Sequence, residues 1–192
     1  LMPVAFLARK SRWRWDVAYS LRSAPVKAIV AAALAGIGFW MFNATLSGAT
    51  EAALAEFVGP NPVTANILTG LDPVHVAAFV ISVVVLAPFS EEVFFRALIA
   101  TSLLFGLCHA LNGISSIIPA TLLGFALGYS ALKTGSIWPG IALHAANNGM
   151  ASLIQISALN PQSVLGWWPA IAGLEFGILM MAMIKSSGTA RD

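Results

Sequence analysis

A chain of 192 residues with 58% hydrophobic and only 9% charged residues departs far from a soluble domain, which is about half apolar and about a quarter charged. That composition excludes a soluble globular enzyme. It points to an all-α polytopic membrane protein, with room, at roughly 20 residues per span, for about six transmembrane helices in one bundle. The net charge of +2 says little about partners, and a single cysteine excludes a disulfide framework and a cysteine-based zinc site.

The chain opens on Leu1 rather than Met, which points to an N-terminal piece ahead of it. Arg9, Lys10, Arg12, Arg14, Arg22 and Lys27 then crowd the N-terminus, opposed only by Asp16. Beside a membrane span such a cluster sets orientation and meets anionic lipid, not nucleic acid. Residues 1–25 therefore read as a basic cytoplasmic segment. The first span is expected over about 26–46, "VKAIVAAALAGIGFWMFNATL", as an uncleaved anchor, because the charged region before it is too long for a cleaved signal. Residues 47–73 are rich in Gly and Pro and carry Glu51, Glu56 and Asp72 without a Lys or Arg. Further spans are expected at about 74–100, 101–118, 119–132, 137–158 and 164–184. Residues 26–184 thus form one transmembrane domain with its core at about 74–158, followed by a tail over 185–192.

Positive charge on the cytoplasmic side gives one self-consistent topology. The N-terminus is inside, the acidic loop is outside, and Lys133, Lys185 and Arg191 return inside. Trp138, Trp167 and Trp168 sit near expected span ends, as interfacial anchors do. No amphipathic β-barrel alternation or convincing repeat is present.

Against this apolar background, "FSEEVFFRALIA" places Glu91 and Glu92 side by side. A carboxylate within the bilayer costs at least a few kcal/mol on the most lenient scale, so intramembrane acids are functional by default. Glu92 and Arg96 share a helix face at i and i+4, acid first, which is the favoured order; Glu91 lies about 100° around the helix and stays available. The bland alternative is a structural Glu–Arg pair with a spare acid near the water interface. "FGLCHA" places Phe105 one turn before His109, and "ALHAANNGM" places His144 and Asn148 on one face beside Asn147. A lone His on an apolar helix is more often a satisfied core residue than a catalyst, but two with an Asn and a Glu pair suggest a shared site. Each lies about 12 Å below the inner end of its expected span. Glu91 and His109 would be about 27 Å apart on one continuous helix, so the chain must reverse near Ala100–Thr101.

Two chemistries suit Glu with two His. Glu91, His109 and His144 could hold Zn²⁺ with an open position for water, although no HExxH motif enforces it. Alternatively a carboxylate and His109 deprotonate a water without metal, while His144 and Asn148 donate to the developing oxyanion. Cys108 points about 100° away from His109 and reads as an inert buried thiol. His75, beside Asp72 and Pro73 at a membrane edge, reads as interfacial and uninvolved.

Glu91-Glu92-x-x-x-Arg96, Phe105-x-x-x-His109 and His144-x-x-x-Asn148, in that order, resemble the three motifs of the CPBP family. These are intramembrane proteases related to the Rce1-type CAAX prenyl endopeptidase and to bacteriocin-processing and immunity proteins. The approach "GFALGYSALKTGSIWPGIALHAANN" resembles the final motif region, and the resemblance covers about 80–158. It implies that Glu91 is the water-activating base with His109 its partner and that Glu92 and Arg96 are a supporting pair. His144 and Asn148 would stabilise the oxyanion, and Phe105 would shape the cavity. The family is commonly labelled metalloprotease, yet a metal-free, glutamate-activated water is proposed for its Rce1-type members. The connection between the Glu and Phe-His motifs is shorter here than in the family, which points to residues missing from it.

The expected activity is therefore endopeptidase cleavage near the cytoplasmic face, of a prenylated C-terminus, a leader peptide or another membrane peptide. No cofactor is required on that reading, with Zn²⁺ the alternative. The expected partners are membrane lipids and a peptide or lipidated-peptide substrate, and the expected location is a prokaryotic plasma membrane. Two other classes compete: a non-proteolytic binding or immunity protein using the same polar cavity, and a proton or ion pathway.

Overall fold

The computed structural model describes residues 21–58, 68, 70–98, 102–157 and 166–187, with the side chains of 95–98 and 185–187 outside that set. The described residues are helical, with no strand among them. Helix α1 spans Val26–Val58, α2 Pro73–Ile81 and α3 Ala87–Leu98, the last two joined without a break by a π turn, Ser82–Leu86. Helix α4 spans Ser102–Cys108 and is followed by two 3-10 turns, His109–Asn112 and Ile114–Ser116. Helices α5 (Ile117–Thr134), α6 (Trp138–Ile156) and α7 (Trp167–Ser187) complete the bundle. The expectations on residues 1–20, 99–101 and 188–192 lie outside the described residues.

Among the described residues, four stretches are long and apolar enough to cross a membrane: Val26–Phe57, Pro73–Phe94, Ile114–Thr134 and Trp167–Ile184. Helix α6 has the length, at 19 residues, but carries His144, Asn147, Asn148 and Gln155. The expected third span, 101–118, is not one: the apolar helical stretch Ser102–Asn112 is too short to cross. Gly113, at φ 107° between the two 3-10 turns, adopts a backbone that only glycine takes readily, and the chain leaves the helical path there. The first helix is longer than the expected 26–46, because "GATEAALAEFV" is rich in Ala, Leu and Glu, strong helix formers. Glu51 and Glu56 therefore sit on its last turns, not in a loop.

Close backbone approach holds the bundle together. A Cβ at Gly36 would lie 2.1 Å from the Leu143 carbonyl oxygen, and one at Gly38 2.4 Å from that of Gly173. Helix α1 thus packs directly on α6 and α7, the small-residue contact that drives helix association in lipid. Gly106 does the same for α4 against Thr121 and Ile117 of α5. The core gathers Ala28, Ala32, Ala35, Leu127, Leu143 and Ile184, all 0% exposed. Burial is uneven: a third or more of each of the windows in α1, α5 and α7 is buried, but only 6% of the Pro73–Phe94 window.

Ser136 Oγ donates to the Arg22 carbonyl oxygen at 2.6 Å. That bond places the start of α1 beside the turn between α5 and α6, so Arg22, Lys27 and Lys133 share one end of the bundle. Asp72 caps α2 at the other end, accepting from Val74 N at 2.9 Å, and its carboxylate also pairs with the His75 ring.

Candidate active site

Helix α3 delivers Glu91, the end of α4 delivers His109, and α6 delivers His144. Glu91 and His109 are separated by 18 positions in sequence, yet Glu91 Oε2 lies 3.9 Å from His109 Nε2. It lies at the same 3.9 Å from His144 Nε2. Helix α3 and the end of α4 thus bring the two motifs together. Glu91 is seven residues before the end of α3 and His144 six after the start of α6, so the cluster lies about 10 Å below the basic end of the bundle.

Phe105 organises both imidazoles. Its carbonyl oxygen is 2.8 Å from His109 Nδ1; a carbonyl only accepts, so Nδ1 carries the hydrogen and Nε2 is the ring nitrogen turned towards Glu91. Its ring, 3% exposed, lies 4.5 Å from the His109 centroid and 5.6 Å, edge-on, from that of His144. His144 is 2% exposed, whereas the Glu91 side chain is 31% exposed, so the acid closes the cluster on its open side. Among the described residues, Glu91 Oε2 and His144 Nδ1 are buried atoms without a hydrogen-bond partner.

A separation of 3.9 Å is too long for a hydrogen bond and suits a bridging molecule. An oxygen set about 2.8 Å from Glu91 Oε2 and from a facing nitrogen closes either gap. For a metal, the donor types are right but the spacing is wide: two ligands of a tetrahedral Zn²⁺ at 2.0–2.1 Å stand about 3.3 Å apart. Among the described residues no group of three or more His, Cys, Asp and Glu has the spacing to hold a metal ion.

Glu92 has a different setting. It is 0% exposed, and its carboxylate rests on the backbone of α6, where a Cβ at Gly140 would lie 2.7 Å from Oε2. The hydroxyl of Ser130, also 0% exposed, lies 3.5 Å from the same point. Glu92 is thus seated among α3, α5 and α6. The Arg96 side chain, its expected partner, lies outside the described residues.

Asn148 does not face Glu91 through its bonded amide hydrogen. Its Nδ2 donates to the Val83 carbonyl oxygen at 2.9 Å, inside the π turn, while Asn147 Nδ2 contacts Asn148 Oδ1 at 3.3 Å. A π turn widens the helix and leaves a carbonyl able to accept from outside. Cys108, expected to be buried, is exposed. His75 is exposed at the far end, away from the cluster.

Gly140 and Val83 were missed in the sequence. Gly140 had a signal: a glycine in the first turns of a helix costs about 1 kcal/mol against alanine unless packing needs it. Val83 had none, because its part is played by the backbone.

Residues 73–150 match the family model described as type II CAAX prenyl endopeptidase Rce1-like. That range takes in Glu91, Glu92, His109, Gly140, His144, Asn148 and the π turn. No curated protein and no solved structure gives a match. The segment 73–150, which holds every part of the cluster, is similar to the type II CAAX prenyl endopeptidase Rce1-like family.

Proposed function

We propose that the chain is an intramembrane endopeptidase that hydrolyses a peptide bond near the cytoplasmic face, the basic end of the bundle, using a water activated by Glu91 and His109. The observation that carries this reading is the convergence of His109 Nε2 and His144 Nε2 on one oxygen of Glu91, each at 3.9 Å.

The water donates one hydrogen to Glu91 Oε2 and the other to the His109 Nε2 lone pair, so its own lone pair is aimed at the scissile carbonyl carbon. As the C–O bond forms, its proton passes to Glu91. The carbonyl oxygen becomes an oxyanion that accepts from the Nε2 hydrogen of His144, a donor held rigid by burial. Collapse breaks the C–N bond, and Glu91 returns the proton to the leaving amine. Glu92, seated on Gly140 and Ser130, holds the backbone of α3 so that Glu91 faces the histidines. Asn148 ties α6 to the π turn and keeps one amide hydrogen for the oxyanion.

The family of residues 73–150 favours a prenylated C-terminal peptide over a leader peptide. The test is cleavage by purified protein in detergent, with farnesylated and unfarnesylated CAAX peptides, wild type against Glu91→Gln, with and without chelator. Cleavage of the farnesylated peptide that is lost in the variant and indifferent to chelator supports the reading. Chelator-sensitive cleavage restored by Zn²⁺ would replace the water mechanism with a metal one. No cleavage of either peptide by folded protein would favour a binding role.

A further inference from the structure

A cavity of about 1080 Å³ lies apart from the Glu91 cluster, between α1, α5 and α7 and the start of α4, with lining residues that include Phe39, Leu122, Phe125, Tyr129, Leu132 and Ile178. None of Glu91, Glu92, His109 or His144 is among its lining residues. Leu122, Phe125, Tyr129 and Leu132 recur at three- and four-residue spacing and so form one stripe along α5. Ser130, which faces Glu92, points about 100° away from Tyr129, so stripe and cluster occupy different faces of α5.

The stripe ends on a charge. Lys133 stands one helical turn beyond Tyr129, its Nζ 5.6 Å from the centre of that ring, and its side chain is exposed. Lys133 sits at the end shared with Arg22, while Leu122 and Phe125 lie two to three turns further into the bundle. From Leu122 to Leu132 the groove runs about 15 Å along the helix. Apolar lining at depth, a tyrosine near the end and a cation at the rim match a phospholipid in cross-section: hydrocarbon, interface, phosphate.

We infer that this groove is a binding site for one anionic phospholipid, with an acyl chain along Leu122, Phe125 and Phe39 and the phosphate against Lys133. A cavity of this size exceeds by far the roughly 30 Å³ of a water molecule, and an apolar one does not hold water. Lys133 selects the headgroup by charge complementarity, worth about five-fold in affinity for one lysine near a membrane surface. Bound lipid fills the space between α1, α4, α5 and α7 and braces the helix whose other face seats Glu92. The inference does not depend on the proposed catalysis.

The test is native mass spectrometry of the full chain released from detergent after exposure to equal concentrations of dioleoyl phosphatidylglycerol and dioleoyl phosphatidylcholine. The wild type should retain one phosphatidylglycerol in preference to phosphatidylcholine. Lys133→Gln should lower that preference about five-fold, and Ala126→Phe, which fills the groove, should lower retention of both lipids. Equal retention by the wild type, or a preference unchanged in Lys133→Gln, would overturn the assignment. So would displacement of the lipid by a farnesylated peptide, which would make the groove a substrate site. Lys133 is exposed, so its variant stays informative if Ala126→Phe fails to fold.

Discussion

The side-chain amide of Asn148 donates to the carbonyl oxygen of Val83 at 2.9 Å, joining the helix of His144 to the π turn two helical turns before Glu91. Without that turn the Val83 carbonyl would be spent inside its own helix. In hydrocarbon an orphaned carbonyl has no water to turn to. Asn148→Ala is therefore expected to lower the unfolding free energy by about 1–3 kcal/mol, measured as a lower thermal midpoint in detergent. An unchanged midpoint would show that the contact contributes nothing.

Loss of the acid should separate chemistry from folding. Glu91→Gln keeps the size of the side chain and removes its basicity, so cleavage should fall at least 100-fold while the melting curve stays in place. His144→Ala removes the proposed oxyanion donor and should cost about 10²–10³ in rate. A Glu91→Gln enzyme with near-normal turnover would remove Glu91 from the reaction.

The two close-packed glycines of α1 and α6 should differ in tolerance. At Gly36 a new Cβ would meet the Leu143 carbonyl oxygen, a backbone atom, at 2.1 Å; at Gly140 it would meet the end of the Glu92 side chain at 2.7 Å. Gly36→Ala must push two helices apart and should lower the melting midpoint and activity together, by about 1–3 kcal/mol or more of stability. Gly140→Ala can be relieved by moving the Glu92 carboxylate, so its activity should fall further than its stability. Equal effects on both readouts at Gly140 would argue against Glu92 as the support of Glu91.

The far end of the bundle should respond to acid. The side-chain hydrogen bond from His75, followed by backbone hydrogen bonds from His75 and Val74, holds the Asp72 carboxyl below its usual range. A carboxyl depressed in the folded state stabilises it above the unfolded pKa, near 4, and that contribution fades as pH falls through the lower folded value. The midpoint difference between wild type and Asp72→Ala should be present at pH 7 and shrink below about pH 4. A difference that grew on acidification would contradict this sign.

Much of this arrangement was legible before any coordinates. The i,i+4 spacing of His144 and Asn148 placed both on one face of α6. The depths of Glu91 and His144 below their span ends brought two segments to one level, whereas the same argument for His109 rested on a span over 101–118 that is not one. The π turn was not legible, because it is a change of backbone register that leaves the apolar run "VISVVVL" looking like any buried helix. Nor was the shortness of α4: "SLLFGLC" is as apolar as a span, and only the packing of Gly106 against α5 shows that it turns back.

Of the four candidate spans among the described residues, the one that carries Glu91 has the least protein around it, with 6% of its Pro73–Phe94 window buried. In the proposed reaction, bilayer forms the wall of the chamber on that side, and a lipid-anchored chain reaches the acid by sliding in two dimensions, without leaving hydrocarbon. Water descends about 10 Å from the charged end of the bundle. The two reactants arrive by perpendicular routes and first meet at Glu91.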